Sequence, residues 1–322
     1  MRRQLGGRYQ RVMLLAPLIV ALAGAGCSAQ ERQSTLPKGG VGAQAGAPDT
    51  AAKPAKGPAT IRELPFGGQE IFPKYRVVAF YGAAQTPSMG VLGRTSPDVA
   101  AKGVKRRAEQ YAKLAGKPTV PAFELIATIA NRHPGPDGLY HTRTPHSVIK
   151  KYLAAARRNH FLLLLDIQPG RGDFLTEAKH YEPFLREPDV GLALDPEWNM
   201  GRKGVPGTRI GSTTAATINS VSAWLDGIVQ QERLPQKLFV VHQFTHNMVR
   251  GKQAVAHRKG LAMTFHVDGF GGQSIKKQKY AAFTQDRRWH NGFKLFLRAD
   301  RNMMTPEQVM RLKPKPDLIT YQ

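Results

Sequence analysis

The chain has 322 residues, 41% of them hydrophobic, enough to bury the core of one large domain or two small ones. Lys and Arg outnumber Asp and Glu by 47 to 23, and the net charge of +24 favours polyanionic surroundings such as acidic lipid headgroups, anionic wall polymer or nucleic acid. There is no DNA- or RNA-reading motif and no dense basic stripe interleaved with aromatics, which argues against nucleic acid, and a single cysteine excludes an internal disulfide.

At the N-terminus, Arg2, Arg3, Arg8 and Arg11 precede an apolar stretch, Val12–Ala23, that is too short for a permanent membrane span. Gly24, Ala25 and Gly26 then lead to the lone cysteine, Cys27. The arrangement resembles a bacterial lipobox, with Gly24 where Leu is usual. The resemblance implies a signal peptide over 1–26, export, and diacylglycerol on Cys27; an ordinary secreted protein is the alternative. Cleavage there would remove four arginines and no acid, taking the charge from +24 to +20. Residues 27–65 are mostly Ala, Gly, Pro, Gln and Lys with little to bury, and read as a flexible tether.

Residues 66–322 alternate short apolar runs with helical patterns. The runs are Tyr75–Gly82, Pro121–Ile129, Phe161–Gln168, Val190–Trp198, Lys237–Thr245, Leu261–Phe270, Asn291–Leu297 and Asp317–Gln322. Near-continuous apolar runs of this length are expected of strands buried on both faces. Helices are expected over Ser96–Ala115, Thr144–Asn159 and Thr305–Leu312, each opening on Ser-Pro or Thr-Pro. Further helices are expected over Gly172–Arg186, Ser212–Arg233 and Gln273–Phe283, while His246–His257 is the weakest helical segment. Eight strands with intervening helices in about 250 residues predict an α/β fold, a single (β/α)8 TIM barrel. An open doubly wound sheet is the alternative; it is disfavoured because no Gly-rich phosphate loop follows any strand.

Active groups of such barrels sit at the C-terminal ends of the strands. Tyr81, Asp166, Gln168, Asp195, Glu197, Trp198, His242, Gln243, His266, Asp268 and Tyr321 all fall there. Residues two apart on a strand share a face, which pairs Asp166 with Gln168, Asp195 with Glu197 and His266 with Asp268. Glu124 and Lys294 lie further back in their strands. A buried ion pair is the first expectation for both, with Lys294 as a possible electrostatic partner of Asp195 or Asp268.

The sequence LALDPEW at the fourth strand end resembles the D-x-E of barrel-fold glycoside hydrolases, of the chitinase type and the family-25 muramidase type. The resemblance implies Glu197 as general acid and Asp195 as the assisting carboxyl; Asp166 and Asp268, by their place on the same rim, are expected as further catalytic carboxylates. Tyr81, Gln168, Trp198, His242, Gln243, His266, Lys294 and Tyr321 would bind a carbohydrate polymer. Two departures stand out: Leu192 and Ala193 occupy places that are acidic in the chitinase pattern, and Tyr81 replaces an Asp of the muramidase pattern. The barrel region also resembles an uncharacterised group of bacterial lipoproteins. No cofactor or metal is expected on this reading, and a monomer is. The rivals are a metal-dependent hydrolase or deacetylase using His242, His266 and Asp268, with His246 in an H-x-x-x-H spacing, and a non-catalytic lipoprotein that binds carbohydrate or cell wall.

Overall fold

The structure, a computed structural model, describes residues 62–84 and 86–322. The expected signal peptide, Cys27 and nearly all of the expected tether lie outside the described residues. Within 62–65, Leu64 is buried against the barrel's lower interior. Among the described residues no helix is long and apolar enough to cross a membrane.

Eight parallel strands form the barrel: β1 (Arg76–Gly82), β2 (Thr119–Ala130), β3 (Leu162–Ile167), β4 (Val190–Leu194), β5 (Lys237–Gln243), β6 (Leu261–Val267), β7 (His290–Leu295) and β8 (Leu318–Tyr321). Each pairs with its sequence neighbours, and β1 closes the cylinder by pairing with both β2 and β8. Closure leaves no free sheet edge within the barrel. The expected (β/α)8 architecture is the observed one, and each of the eight apolar runs overlaps a strand.

The helices are α1 (Pro97–Ala115), α2 (His146–Arg158), α3 (Phe174–His180), α4 (Glu182–Leu185), α5 (Ala215–Gln231), α6 (Gln273–Phe283) and α7 (Pro306–Met310). Ser96 caps α1 by accepting from the Val99 N–H, and Thr305 forms a capping box with Gln308. Thr144 does not cap α2. Its hydroxyl donates to the Ile126 carbonyl, and Pro145 occupies the cap position. The single helix expected over Gly172–Arg186 is divided into α3 and α4 at Tyr181. Between β5 and β6 the chain makes two 3-10 turns, His246–Met248 and Lys252–Ala254, in place of an α-helix.

Alternation along each strand sorts the side chains into two layers. The outward set includes Val78, Phe123, Leu165, Leu192, Phe239, Phe293 and Ile319, packed with helix residues such as Val104, Ile149 and Leu225. The inward set divides along the barrel axis. Its N-terminal half is apolar, built from Val77, Ala79, Ala122, Leu164, Ala193, Val240 and Leu318, with Leu64, Ile71 and Phe72 in the same cluster. Its C-terminal half is polar and holds Glu124, Asp166, His242, His266, Lys294 and Thr320. Space for the rings in this half comes from a small residue. A Cβ on Gly292 would sit 2.6 Å from His266 Cδ2. Gly292→Ala is therefore expected to destabilise the fold by about 1–3 kcal/mol through overpacking. Urea denaturation measures this, and an unchanged midpoint would show that the His266 ring yields freely.

Candidate functional site

The polar half of the interior converges on His242. Its Nδ1 lies 3.0 Å from Asp268 Oδ2 and its Nε2 lies 2.9 Å from Glu124 Oε1, so both ring nitrogens face carboxylates. Asp166 Oδ1 is 3.9 Å from the same Nε2. The other Glu124 oxygen accepts from the Thr320 hydroxyl at 2.9 Å. Burial alone would lower the pKa of His242, but the hydrogen bonds to Asp268 and Glu124 outweigh it and raise the pKa well above 6.5. An imidazole with an acceptor at each nitrogen is stable as the imidazolium. Burial pushes Glu124 and Asp268 upward, yet the His242 hydrogen bond prevails and brings each to about 2.

A second chain of contacts runs across the same interior. Tyr81 donates its hydroxyl to Asp166 Oδ2 at 2.8 Å, and Gln168 Nε2 donates to Tyr81 at 3.2 Å and to Asp195 Oδ2 at 3.3 Å. The Lys294 ammonium lies 3.5 Å from the Tyr81 ring centroid and 3.7 Å from Asp268 Oδ2. Two cations, His242 and Lys294, thus sit among two ionised carboxylates, Glu124 and Asp268. The remaining acids have no strong cationic partner. Burial raises Asp166 to about 8, with Asp195 and Glu124 adding to the rise against the pull of His242. Burial likewise raises Asp195.

Glu197 reaches this group by a different route from the one alternation predicts. β4 ends at Leu194, and Pro196–Trp198 forms a 3-10 turn with Pro at its start. Proline disfavours helical backbone at the residue before it, and Asp195 adopts φ −109°, ψ 89°. Asp195 and Glu197 are therefore brought together by a turn over the barrel mouth, not by a shared strand face. Burial, then the nearby Asp195 and Asp268, raise Glu197 to about 8. Exposure increases toward this end of the barrel. It is 0% at Glu124, Asp166 and His266, 3% at Asp195 and 5% at Asp268, and Glu197 is only partly buried.

Other expected site residues divide clearly. Tyr81, Gln168, His266 and Lys294 lie in the interior with the carboxylates. Tyr81 is 2% exposed and bound at its hydroxyl, so it orients Asp166 and has no free face for stacking. Trp198 is partly exposed in the turn that carries Glu197. Tyr321 and Gln243 turn outward. The Tyr321 hydroxyl is 2.6 Å from that of Tyr111 on α1, and Gln243 Oε1 accepts from Lys252 at 3.0 Å. The reason is alternation, since the inward positions beside them are Thr320 and His242. Gln243 lines a surface cavity of about 270 Å3 together with His246, Phe283 and Asp286, and none of the interior carboxylates lines it. Glu124, read from sequence as lying away from the rim, is a direct partner of His242. A lone mid-strand acid looks the same in sequence whether it serves a structural pair or a site.

Several buried polar atoms in the interior have no hydrogen-bond partner: both ring nitrogens of His266, and Oδ1 of Asp166, Asp195 and Asp268. Burial holds His266 neutral, at about 3. For a metal, Glu124, His242 and His266 bring ligand-type atoms within 4.8 Å of one another. His266 suits that role. His242 suits it poorly, because an imidazolium bonded to two carboxylates has no free lone pair and would have to surrender a proton and the Glu124 contact. Compared with known protein families and with curated proteins, the chain matches none of either.

Asp166 gives a test of these electrostatics. Its pKa is about 8 in the fold against an ordinary 3.8. Below about pH 4 both folded and unfolded chains hold the proton; above it the unfolded chain releases the proton while the fold retains it. The stability contributed by this group therefore declines as pH rises to about 8. Asn does not titrate, so Asp166→Asn is expected to gain melting temperature relative to the parent between about pH 5 and pH 8. A pH-independent difference would mean that Asp166 is ionised in the folded protein.

Proposed function

We propose that this chain is an extracytoplasmic glycoside hydrolase, tethered to the membrane by a lipid on Cys27 and acting on a polysaccharide. The observation that carries the reading is a pair of carboxyl groups with opposite poise in one site. Glu197 is held protonated near neutral pH and Asp268 is held ionised. Groups whose surroundings push their pKa values apart are equipped for acid and base roles. Glu197 donates its proton to the glycosidic oxygen as the C–O bond breaks. The positive charge that develops on the sugar faces the ionised Asp268, a water adds its oxygen to the anomeric carbon and its proton returns to the Glu197 carboxylate, and Asp195 helps keep the Glu197 proton in place before reaction. Trp198, partly exposed in the same turn as Glu197, supplies an aromatic face for a sugar ring.

A metal-dependent hydrolase or deacetylase is the second reading, favoured by the unpartnered nitrogens of His266. It predicts activity that a chelator abolishes, whereas the glycosidase reading predicts activity that survives. A third reading, a non-catalytic carbohydrate-binding lipoprotein, predicts no turnover and unchanged ligand binding in Glu197→Gln. On the glycosidase reading that substitution lowers reducing-sugar release by roughly 10²–10⁴-fold while leaving the fold intact. The parent rate is also expected to fall as pH rises through about 8, where Glu197 loses its proton. Retention of full activity by Glu197→Gln would remove Glu197 from the chemistry. For the anchor, Cys27→Ser is expected to move the protein from the membrane fraction to the soluble fraction, and an unchanged distribution would count against lipid attachment.

A further inference from the structure

Some arginines of the folded body are paired with acids. Arg143 binds Glu177, Arg157 binds Asp189, Arg186 binds Glu182 and Arg288 binds Asp286. The loops beside Glu197 carry cations without such partners. From residue 198 to residue 225 there is no Asp or Glu, yet Arg202, Lys203 and Arg209 fall there. Arg132 and Arg171 join them from the loops after β2 and β3. Among the described residues, none of these five cations has a carboxylate within ion-pair distance.

The loop that carries three of them is fastened to the candidate acid itself. The Gly211 N–H donates to the Glu197 carbonyl at 2.6 Å, and Asn199 and Ser212 close the same neck through two further bonds. A Cβ at Gly211 would meet the Asn199 and Pro196 carbonyl oxygens at 2.5 Å, so the neck closes this tightly only with glycine. Such a segment, with ends together and internal ties, is an Ω-loop. Arg171 struts it by donating Nε to the Gly204 carbonyl at 2.7 Å, and the Met200 N–H reaches the Gly170 carbonyl at 2.8 Å. The Arg132 guanidinium lies against Gly207, with Nε 3.4 Å from where a Cβ would be. Arg132, Arg202, Lys203 and Arg209 are exposed. Three neighbouring mouth loops thus present one cationic surface, joined through main-chain bonds to the residue proposed to act as the acid.

We propose that this surface is a subsite for an anionic glycan, one bearing carboxylate or phosphate groups, which it holds alongside Glu197. Arg171 and Arg209 spend donors on the loop's own carbonyls, Arg209 on that of Met200 at 2.7 Å, while the exposed guanidinium forks of Arg132 and Arg202 can take such anions in bidentate fashion and Lys203 adds a point charge. The inference rests on the hydrolase reading for what happens after binding, but binding itself can be measured without turnover.

The test uses the full-length chain and three probes: polygalacturonate, a poly(glycerol phosphate) and neutral dextran. Arg132→Gln, Arg202→Gln and Lys203→Gln are combined in one variant. A control variant carries Lys102→Gln, Lys105→Gln and Lys113→Gln on exposed positions of α1, with the same loss of charge. The expected result is binding of at least one polyanion and not of dextran, weakened roughly 10- to 100-fold in the loop variant, with a shallower salt dependence. The control should lose much less. Whichever polyanion binds identifies the anion. Equal losses in the two variants would show that only net charge matters, and binding of dextran as tight as the polyanions would likewise overturn the proposal. Polyanion binding at the loop without hydrolysis of any glycan would sink the hydrolase reading and leave this one standing. Hydrolysis of a neutral glycan with no preference for charged ones would do the reverse.

Discussion

The organisation of the molecule depends on one buried imidazolium. His242 is fully enclosed, and its charge persists only because a carboxylate faces each ring nitrogen. Removing one partner of a buried pair typically costs about 3–5 kcal/mol, because the remaining charge is left uncompensated. Glu124 and Asp268 are therefore as necessary to the fold as to any chemistry. Their ionisation has a further consequence. With two cations already matched by two anions, additional ionised carboxylates in the same space would be unpaired, and Asp166 and Glu197 retain their protons instead. The acid required for the proposed reaction follows from the way the interior satisfies its own charge.

The barrel can accommodate this because its interior is divided. Ala79, Ala122, Leu164, Ala193 and Val240 make the lower half an ordinary apolar core, while hydrophobic contact between strands and helices is made on the outside by a larger set of residues. Stability comes from these two regions, which leaves the upper interior free to hold groups that would otherwise be costly. The unpartnered atoms there are a cost of this kind, about 1–3 kcal/mol for each group when no water or ligand meets it.

The fold was legible because burial on both strand faces leaves a mark that needs no long-range information: a run of apolar residues, repeated eight times and separated by helix caps. The site was legible in part. Asp166, His242, His266 and Asp268 stand out as polar residues at the ends of apolar runs. Alternation, applied strictly, already excludes Tyr321 and Gln243, since each follows an inward residue. It fails at Glu197, where Pro196 ends the strand and a turn resets the direction of the side chain. Glu124 was hidden for a different reason. Its role is fixed by His242, 118 residues away, and no local pattern encodes that pairing.

The contrast between interior and rim also constrains where specificity for a substrate can reside. Each charge inside the barrel is locked to another, so altering one disturbs the network at a cost of several kcal/mol. Exposed charges on the mouth loops contribute about 0–1 kcal/mol each to stability and can be changed with little effect on the fold. On the proposed reading, the charge network that sets the acid's poise lies in the rigid interior and recognition lies in the loops. The Ω-loop that begins and ends at Glu197 joins the two, since main-chain bonds at its neck fix the acid and the cationic surface in one geometry.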